Sequence, residues 1–461
     1  VLLIVVFHQL IRRKGEEEMG LFKRKKKSVK FEKEGLKRGK IGKTLSYMMA
    51  VPMDPSILKN TDEMIERLKE VQGIQVHRVE ERNNEEREQL LFLTYQEEEY
   101  VVGFYQGHYE HPGYYRWQHI FSVKERETFK REGEGLLTWM VFGESNINSF
   151  HLQIKILNAF VPNMVGIIDF SSEKILSGRW AKLASQSLIP PAPSYLYTIQ
   201  AVVGGEDENV WLHTHGLNRC GAIDLEILGL TRDNYEALNS VILVLAEKIV
   251  TRGEFDDEEA PIYTARLTTK DVLMTTWIDY RRASEYYPEG TLGQVHLRED
   301  AHEENRGVIF CYPTETDYKK RNFVPLDRYA EVLAENPIVY YTTEETNRMS
   351  QLAKERLPYL EFLYNKGLDE EEVLLIKIGL DVDEKYRQDV DEKEHIWFQL
   401  EGIDVGRQVF YGVLTQEPYF IEGLHEGMEK ELPFERLTDW IFFGKDGDEI
   451  TPDSVYLLEN E

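Results

Sequence analysis

Cysteine is nearly absent from this chain. Cys220 and Cys311 are the two in 461 residues. That is too few for a disulfide framework and fits a reducing, cytoplasmic setting. Long hydrophobic runs are missing as well. The opening Val1-Leu2-Leu3-Ile4-Val5-Val6-Phe7 is apolar, but far short of the roughly 20 residues that span a bilayer, so no integral membrane span is expected. It has no basic segment before it and no small-residue cleavage site after it, so it does not read as a signal peptide. Positive charge is scarce, with 55 Lys and Arg against 82 Asp and Glu, a net charge of -27. This speaks against nucleic-acid binding, because phosphate neutralisation supplies most of that affinity. A P-loop, a G-x-G-x-x-G turn and a G-x-S-x-G elbow are all missing.

The basic residues that do occur crowd the start. Residues 1–43 hold 14 Lys and Arg against 5 Glu, so +9, and the rest of the chain carries -36. Such an arm reads as solvated and disordered. A weak anionic-membrane contact through Lys23–Lys27 is the sharper alternative. Lys14-Gly15-Glu16-Glu17-Glu18, just before Met19, back-translates to a purine-rich run resembling a bacterial ribosome-binding site. Residues 1–18 are therefore expected to be untranslated, with Met19 as the start. Arg24 stands where a myristoylation signal needs Ser or Thr.

The remainder has an ordinary globular mix, 42% hydrophobic and 30% charged, and 11% aromatic content argues against disorder. Thr61 to Lys69 reads as a helix, with Met64, Ile65 and Leu68 at helical spacing. Leu90–Gln96, Tyr100–Tyr105, Leu137–Phe142 and Val165–Phe170 read as strands. Between Gln106 and Gln118, His108 and His111 suggest a metal, but Pro112-Gly113 makes a surface turn the plainer reading. Ser149–Phe160 is helix-like, and Ser171 and Ser172 are placed to cap a helix reaching Ser187. Within that helix Arg179 faces solvent or binds an anion. Leu188–Pro193 is an extended spacer, and Tyr195–Val203 a strand.

Asn234–Thr251 is an amphipathic helix, and Val272–Ile278 and Val308–Tyr312 are strands. Thr342 with Glu345 forms a capping box for a helix to Lys366, kinked at Pro358 and ended by Gly367. Val373–Gly379 is a strand. Asp381–Glu394 holds seven acids and reads as a linker. Beyond it His395–Leu400, Val409–Leu414, Trp440–Phe443 and Val455–Leu458 read as short strands. The expected class is α+β, with a larger mixed α/β N-terminal region of sheet and packed helices and a small mostly-β C-terminal module. Its divisions are 1–43, a basic arm; 44–290, a main domain; 291–370, an α/β continuation with helix 343–366; and 380–461, the C-terminal module. The last boundary falls between about 370 and 394.

Groups capable of chemistry are densest between Trp211 and Leu228. Gly216–Gly221 is turn-like, so Val210–His215 and Ala222–Leu228 are expected to form a hairpin. Keeping Leu212 and Thr214 on the apolar side of Ile223, Leu225 and Ile227 pairs 214 with 223, 212 with 225 and 210 with 227. His213 then lies opposite Asp224, with Cβ atoms roughly 5 Å apart. His215 and Glu226 share that face, and Arg219 and Cys220 sit on the turn. His213, His215 and Asp224 are a candidate divalent-metal set, with Glu226 as a spare carboxylate. A polar cluster that ties a sheet together is the plainer reading, and an anion or partner site at Arg219 is a third. The His-x-His isopeptidase pattern would need Ser at Ile223 and Asp at Glu226, and the cupin pattern needs its glutamate closer to the second His.

Longer stretches resemble a known family. Ser149–Lys155, Leu176–Trp180, Pro190–Val202, the His213–Glu226 stretch, Tyr286–Gly290 and Tyr341–Thr346 are similar to the bacterial domain of unknown function 4026, from about Ile57 onward. Glu394–Trp397, Gly412–Pro418, Leu424–Gly427, Leu437–Trp440 and Thr451-Pro452 resemble a second module, domain of unknown function 2314. That module has Asn before the proline and Gly-Asp after the leucine, where this chain has Gln416-Glu417 and Gly427-Met428. The resemblance implies a fold and a bacterial cytosolic setting, and brings no activity with it. The first functional reading is a non-enzymatic cytosolic binding or interaction protein, immunity- or stress-related, with an unidentified protein partner and no cofactor. The alternative is a metal-dependent hydrolase built on His213, His215 and Asp224 or Glu226.

Overall fold

In the computed structural model the described residues are 41–82, 87–204, 209–253, 255–266, 272–294, 305–335, 343–386, 393–445 and 447–460. The basic arm to residue 40, Met19 and Lys23–Lys27 with it, lies outside them, as does Thr342. The chain divides into two units. The larger comprises residues 1–185 and 191–340, and the smaller residues 186–190 and 341–461. The class is α+β.

The larger unit holds two sheets. In the first, β1 (Leu45–Pro52), β2 (Ile74–Glu81), β3 (Gln89–Tyr95), β4 (Glu98–Tyr109), β5 (Arg116–Trp117), β6 (Gly133–Val141), β7 (Met164–Asp169) and β8 (Lys174–Ser177) run in the order β2-β3-β4-β6-β1-β7-β8-β5. Helix α1 (Thr61–Lys69) forms as expected and buries Met64, Ile65 and Leu68. Its cap is Asn60, whose side chain accepts from the Glu63 N–H, and not Thr61. Helix α2 is Val123–Phe129, with a Ser122–Glu125 capping box. Helix α3 (Asn146–Phe160) is capped by Ser145 and buried over most of its circumference. Its buried residues include the polar Asn146, Ser149, His151, Gln153 and Lys155 beside the apolar ones.

One expected helix start is overturned. Ser171 and Ser172 cap nothing. Their N–H groups donate to Asp169 Oδ1 at 3.1 and 3.3 Å, and the Ser172 hydroxyl donates to Asp169 Oδ2. This turn, with Glu173 at φ +55°, closes a β7–β8 hairpin in which Gly166 faces Ser177 and Asp169 faces Lys174. Helix α4 begins only at Gly178 and runs to Gln186. A Cβ at Gly178 would lie 1.9 Å from the Met164 carbonyl oxygen, so glycine is what lets strand turn directly into helix beside β7.

The second sheet contains β9 (Thr198–Gly204), β10 (Asn209–His215), β11 (Asp224–Thr231), β12 (Ile262–Arg266), β13 (Val272–Asp279), β14 (Arg306–Tyr312) and β15 (Val324–Pro325). Its path is β12-β13-β14-β11-β10-β9, with β15 on β14. Helix α5 (Tyr235–Arg252) follows β11 and buries Leu238, Val241, Ile242, Leu245 and Ile249, the spacing read from sequence. Short helices α6 (Tyr280–Ala283), α7 (Glu315–Lys319) and α8 (Ala330–Glu335) complete the unit.

The smaller unit has α9 (Thr343–Glu355), α10 (Leu357–Asn365) and the strands β16 (Val373–Asp381), β17 (Lys393–Asp404), β18 (Val409–Leu414), β19 (Glu429–Pro433), β20 (Leu437–Phe443) and β21 (Glu449–Ile450). They order as β19-β18-β17-β16-β20-β21. Two expectations change here. The single kinked helix is two helices broken at Arg356, with Pro358 in the first turn of the second, where its missing N–H costs nothing. The acidic stretch from Asp381 to Glu394 joins adjacent antiparallel strands, since Asp381 pairs with Lys393. The boundary drawn near 370–394 therefore falls inside one sheet. Helix α9, grouped from sequence with the preceding segment, packs on β20: Ser350 Oγ donates to the Leu437 carbonyl at 3.0 Å and Trp440 Nε1 to that of Ala353 at 3.3 Å. Val455–Asn460 is a 3-10 helix and not a strand.

Candidate functional site

The hairpin exists, but in a shifted register. Its loop is longer than expected because Leu217–Cys220 winds into a 3-10 turn between two left-handed glycines, Gly216 (φ 109°) and Gly221 (φ 86°). Strand β11 therefore starts at Asp224, and its register with β10 at Glu226. Leu212 faces Ile227 and His213 faces Glu226. The shift is two residues, so the faces keep their parity and His213 still meets a carboxylate, Glu226 in place of Asp224. A bulge between Val210 and Leu212 then moves Val210 opposite Leu230.

The hairpin lies inside the sheet. Strand β10 pairs with β9 on its other side, and β11 runs parallel to β14, with Asp224 beside Arg306 and Glu226 beside Val308. Both faces are covered. His213, His215, Arg219, Cys220, Asp224 and Glu226 are all 5% exposed or less. Neither a solvated sheet face nor an open cleft describes them.

Each has a specific role in the packing. Asp224 accepts from the Thr214 hydroxyl at 2.8 Å and the Leu217 N–H at 3.1 Å, and also from Asn218 Nδ2. It fastens the loop to its own strand. Arg219 reaches into the first sheet. Its Nη1 donates to Asp169 Oδ1 at 3.0 Å and Ser46 Oγ at 3.1 Å, and its Nη2 to Asp169 Oδ2 at 2.9 Å and the Leu196 carbonyl at 2.6 Å. Phe142 and Phe150 lie 5.5 and 5.3 Å from the guanidinium carbon. Ser46 in turn donates to Gln153 Oε1 at 2.8 Å, and Gln153 Nε2 donates to the Ser46 carbonyl at 3.1 Å and Thr138 Oγ1 at 3.2 Å. One continuous polar chain thus runs from α3 through β1 and β7 to the hairpin loop. Backbone bonds reinforce it: Ile41 N–H to the Gly221 carbonyl at 2.8 Å and Thr44 N–H to that of Asn218 at 3.2 Å.

The histidines stand beside this chain. His213 stacks on Trp211, ring centroids 4.1 Å apart, and meets His215 edge-on at 4.8 Å. His215 Nδ1 is 3.5 Å from Glu173 Oε1, and Glu173 accepts from Gln200 Nε2 at 2.8 Å. Glu226 is held by Arg306 Nη1 at 2.9 Å. Lys174 donates to the carbonyls of Ser194, at 3.1 Å, and Tyr197. Burial pulls its pKa down to about 7 against the opposing pull of Asp169. Burial pushes the Cys220 thiol up to about 12, the reverse of what a reactive thiolate needs.

Asp224, one of the three candidate metal ligands, is committed to its loop, and the group of His and carboxylate atoms that lies within 4.8 Å of one another among the described residues is His108, Glu110 and Glu132. Arg179 does not join the cluster; it donates to Glu125 Oε1 at 3.2 Å and to the Ile120 carbonyl. Sequence reasoning missed Asp169, Glu173 and Arg306. A charged residue ending or opening an apolar strand, as in Met164–Asp169 and Arg306–Tyr312, was the available signal.

Other buried histidines are structural. His119 accepts the Ser177 N–H on Nδ1 at 3.0 Å, which fixes the proton on Nε2, 3.2 Å from Tyr195 Oη. His151 Nε2 donates to the Ala184 carbonyl at 2.8 Å. Burial lowers both to about 3.

No helix among the described residues is long and apolar enough to cross a membrane. Comparison with known sequences places three segments. Residues 46–191 match the N-terminal part, and residues 199–310 the C-terminal part, of the family described as protein of unknown function DUF4026. Residues 360–449 match DUF2314, described as an uncharacterized protein conserved in bacteria. No curated protein and no solved structure matches the chain. The first two matches meet near the polar chain joining the two sheets of the larger unit, and the third covers most of the β-rich sheet of the smaller one: the chain belongs to the DUF4026 family and carries a DUF2314 module towards its C-terminal end.

Proposed function

We propose that this chain is a non-enzymatic interaction protein that holds a basic segment of a partner protein on the open face of its C-terminal sheet. The supporting observation is a groove of about 610 Å³ lined by Glu401, Tyr411, Val413, Glu429, Lys430 and Glu431. The register explains it. One face of the sheet carries the buried Leu374, Ile376, Phe398, Phe410 and Trp440 against the helices. The opposite face carries the row Glu429, Val413, Gln399, Leu375 and Ile441 across five strands, all half-buried or exposed. Tyr411 and Val413 lie in the groove among three carboxylates, Glu401, Glu429 and Glu431, and Lys430. Arg407 donates to Tyr411 Oη and Glu431 Oε1, each at 2.7 Å, and holds one wall in place.

Charge selects the partner. Residues 341–461 hold 30 Asp and Glu against 12 Lys and Arg, so this quarter of the chain supplies -18 of the total -27. A cationic segment is steered towards such a field and an anionic one repelled. The larger unit supports the same reading from the other side, since its densest reactive groups are spent on interior bonds.

The test is fluorescence polarisation with a labelled dodecapeptide of alternating Lys and Val, and a Glu/Val peptide as control. Binding of the basic peptide that weakens with salt, and at least tenfold in the Glu429→Lys/Glu431→Lys variant, is expected. No binding at 100-fold excess peptide, or equal binding by the charge-reversed variant, overturns the proposal.

A further inference from the structure

The β4–β6 ladder builds a ligand set that the hairpin does not. His108 pairs with Glu134 and Tyr109 with Gly133. Glu110 and Glu132 follow directly on these two strand ends. His108 and Glu134 share one side of the ladder's end, and Glu110 and Glu132 each bring a ligand atom to within 4.8 Å of one of His108. The other side is fixed in the core. Tyr109 is buried, and a Cβ at Gly107 or Gly135 would meet Met49 at 3.3 or 2.6 Å. The four groups therefore stand at the end of an anchored strand pair, where the sequence alone suggested a surface turn.

Their spacing is that of metal ligands. One ligand atom each from His108, Glu110 and Glu132 lies within 4.8 Å of the other two. His108 Nε2 is 3.9 Å from Glu132 Oε2, and Nδ1 is 3.7 Å from Glu134 Oε1. Zinc bonds of about 2.1 Å in a tetrahedron set ligand atoms about 3.4 Å apart, so the Nε2–Oε2 gap closes with a side-chain adjustment of about half an ångström. The two ring nitrogens face different carboxylates. That is the arrangement of a ligating histidine whose second nitrogen is oriented by an acid.

We propose that His108 Nε2, Glu110 and Glu132 bind a zinc-type divalent cation, with water as the fourth ligand and Glu134 positioning the imidazole. Three carboxylates and one imidazole crowd this ladder end, and like charges facing across strands destabilise it. A bound cation offsets that repulsion and clasps β4 to β6. The imidazole selects zinc, cobalt or nickel over magnesium and calcium, which prefer all-oxygen sites.

The experiment is equilibrium dialysis of the tag-free full-length chain against zinc chloride, with circular dichroism to confirm that each variant is folded. The side chains of His108, Glu132 and Glu134 are 46–71% exposed, so the variants are expected to fold. One zinc per chain is expected, with affinity down at least tenfold in His108→Ala and in Glu132→Gln. Glu134→Gln, which removes only the orienting partner, is expected to weaken binding by about tenfold. Absence of stoichiometric zinc, stoichiometric zinc undiminished in His108→Ala, or displacement of zinc by equimolar calcium each overturns the site.

Discussion

Replacing Arg219 by Met removes one partner of a fully enclosed ion pair. Asp169 would keep the Ser171 and Ser172 donors but lose both guanidinium bonds. Ser46 and the Leu196 carbonyl would lose a donor as well. Leaving one charge of such a pair uncompensated costs about 3–5 kcal/mol. Cys220 reports this locally. It is adjacent in sequence, 0% exposed, and its high thiol pKa makes modification depend on opening. In the regime where closing outpaces labelling, the rate follows the equilibrium opening. A loss of 3–5 kcal/mol then raises that rate by roughly two to nearly four decades, at about 1.4 kcal/mol per decade. Thiol labelling of the folded chain, with peptide mapping to separate Cys220 from Cys311, measures it. Arg219→Lys is expected to recover only part of the protection, because one ammonium cannot make the paired bonds to Asp169. A rise of less than tenfold in Arg219→Met would show that the bond chain does not hold the two sheets together. The Asp169→Asn/Arg219→Met double variant adds a second check. Its loss should fall short of the summed single losses by more than 1 kcal/mol, as contacting partners require.

Acid should destabilise the larger unit through His119 and His151. Each has a folded pKa of about 3, lowered by burial first and then by neighbouring cations, Lys174 and Arg179 for His119 and Lys155 for His151. The unfolded chain protonates them below about 6.5 while the folded chain does not. Their contribution is therefore full above that pH and lost as pH falls from 6.5 towards 3. At pH 4.5 each accounts for about 3 kcal/mol. Urea unfolding at pH 7 and pH 4.5 should show a smaller loss in His151→Gln than in the parent, and an equal loss would refute the assignment. Gly178→Ala should destabilise by more than 3 kcal/mol, because its methyl would collide with the rigid Met164 carbonyl. A melting temperature within 2 °C of the parent would contradict that reading.

Much of the fold was legible where one signal dominated. The periodicity of Tyr235–Arg252 and Thr61–Lys69 placed both helices, and aromatic and β-branched runs placed β3, β6, β13 and β18. Misreadings came where a local rule competed with pairing. Ser171 and Ser172 look like helix caps, yet Asp169 takes their N–H groups because a hairpin closes there. The acids from Asp381 to Glu394 look like a linker, yet Asp381 pairs with Lys393 and the strands on either side belong to one sheet. His108 was read as part of a turn because Pro112-Gly113 follows so closely, and β4 runs through to Tyr109.

The hairpin shows the division most clearly. Alternation alone decided that His213, His215 and a facing carboxylate share a side, and a shift of two residues left that intact because strand parity repeats every second position. Which carboxylate faces His213 depended on how the loop coils between Gly216 and Gly221. Whether that side meets water depended on partners far away in the chain: β9 and β14 flank the hairpin, and Asp169 of the first sheet receives Arg219. Local sequence carries the period of a strand and the freedom of a glycine. Burial is set by which distant segments pack against the strand, and it turned a cluster of reactive residues into an interior clasp between two sheets.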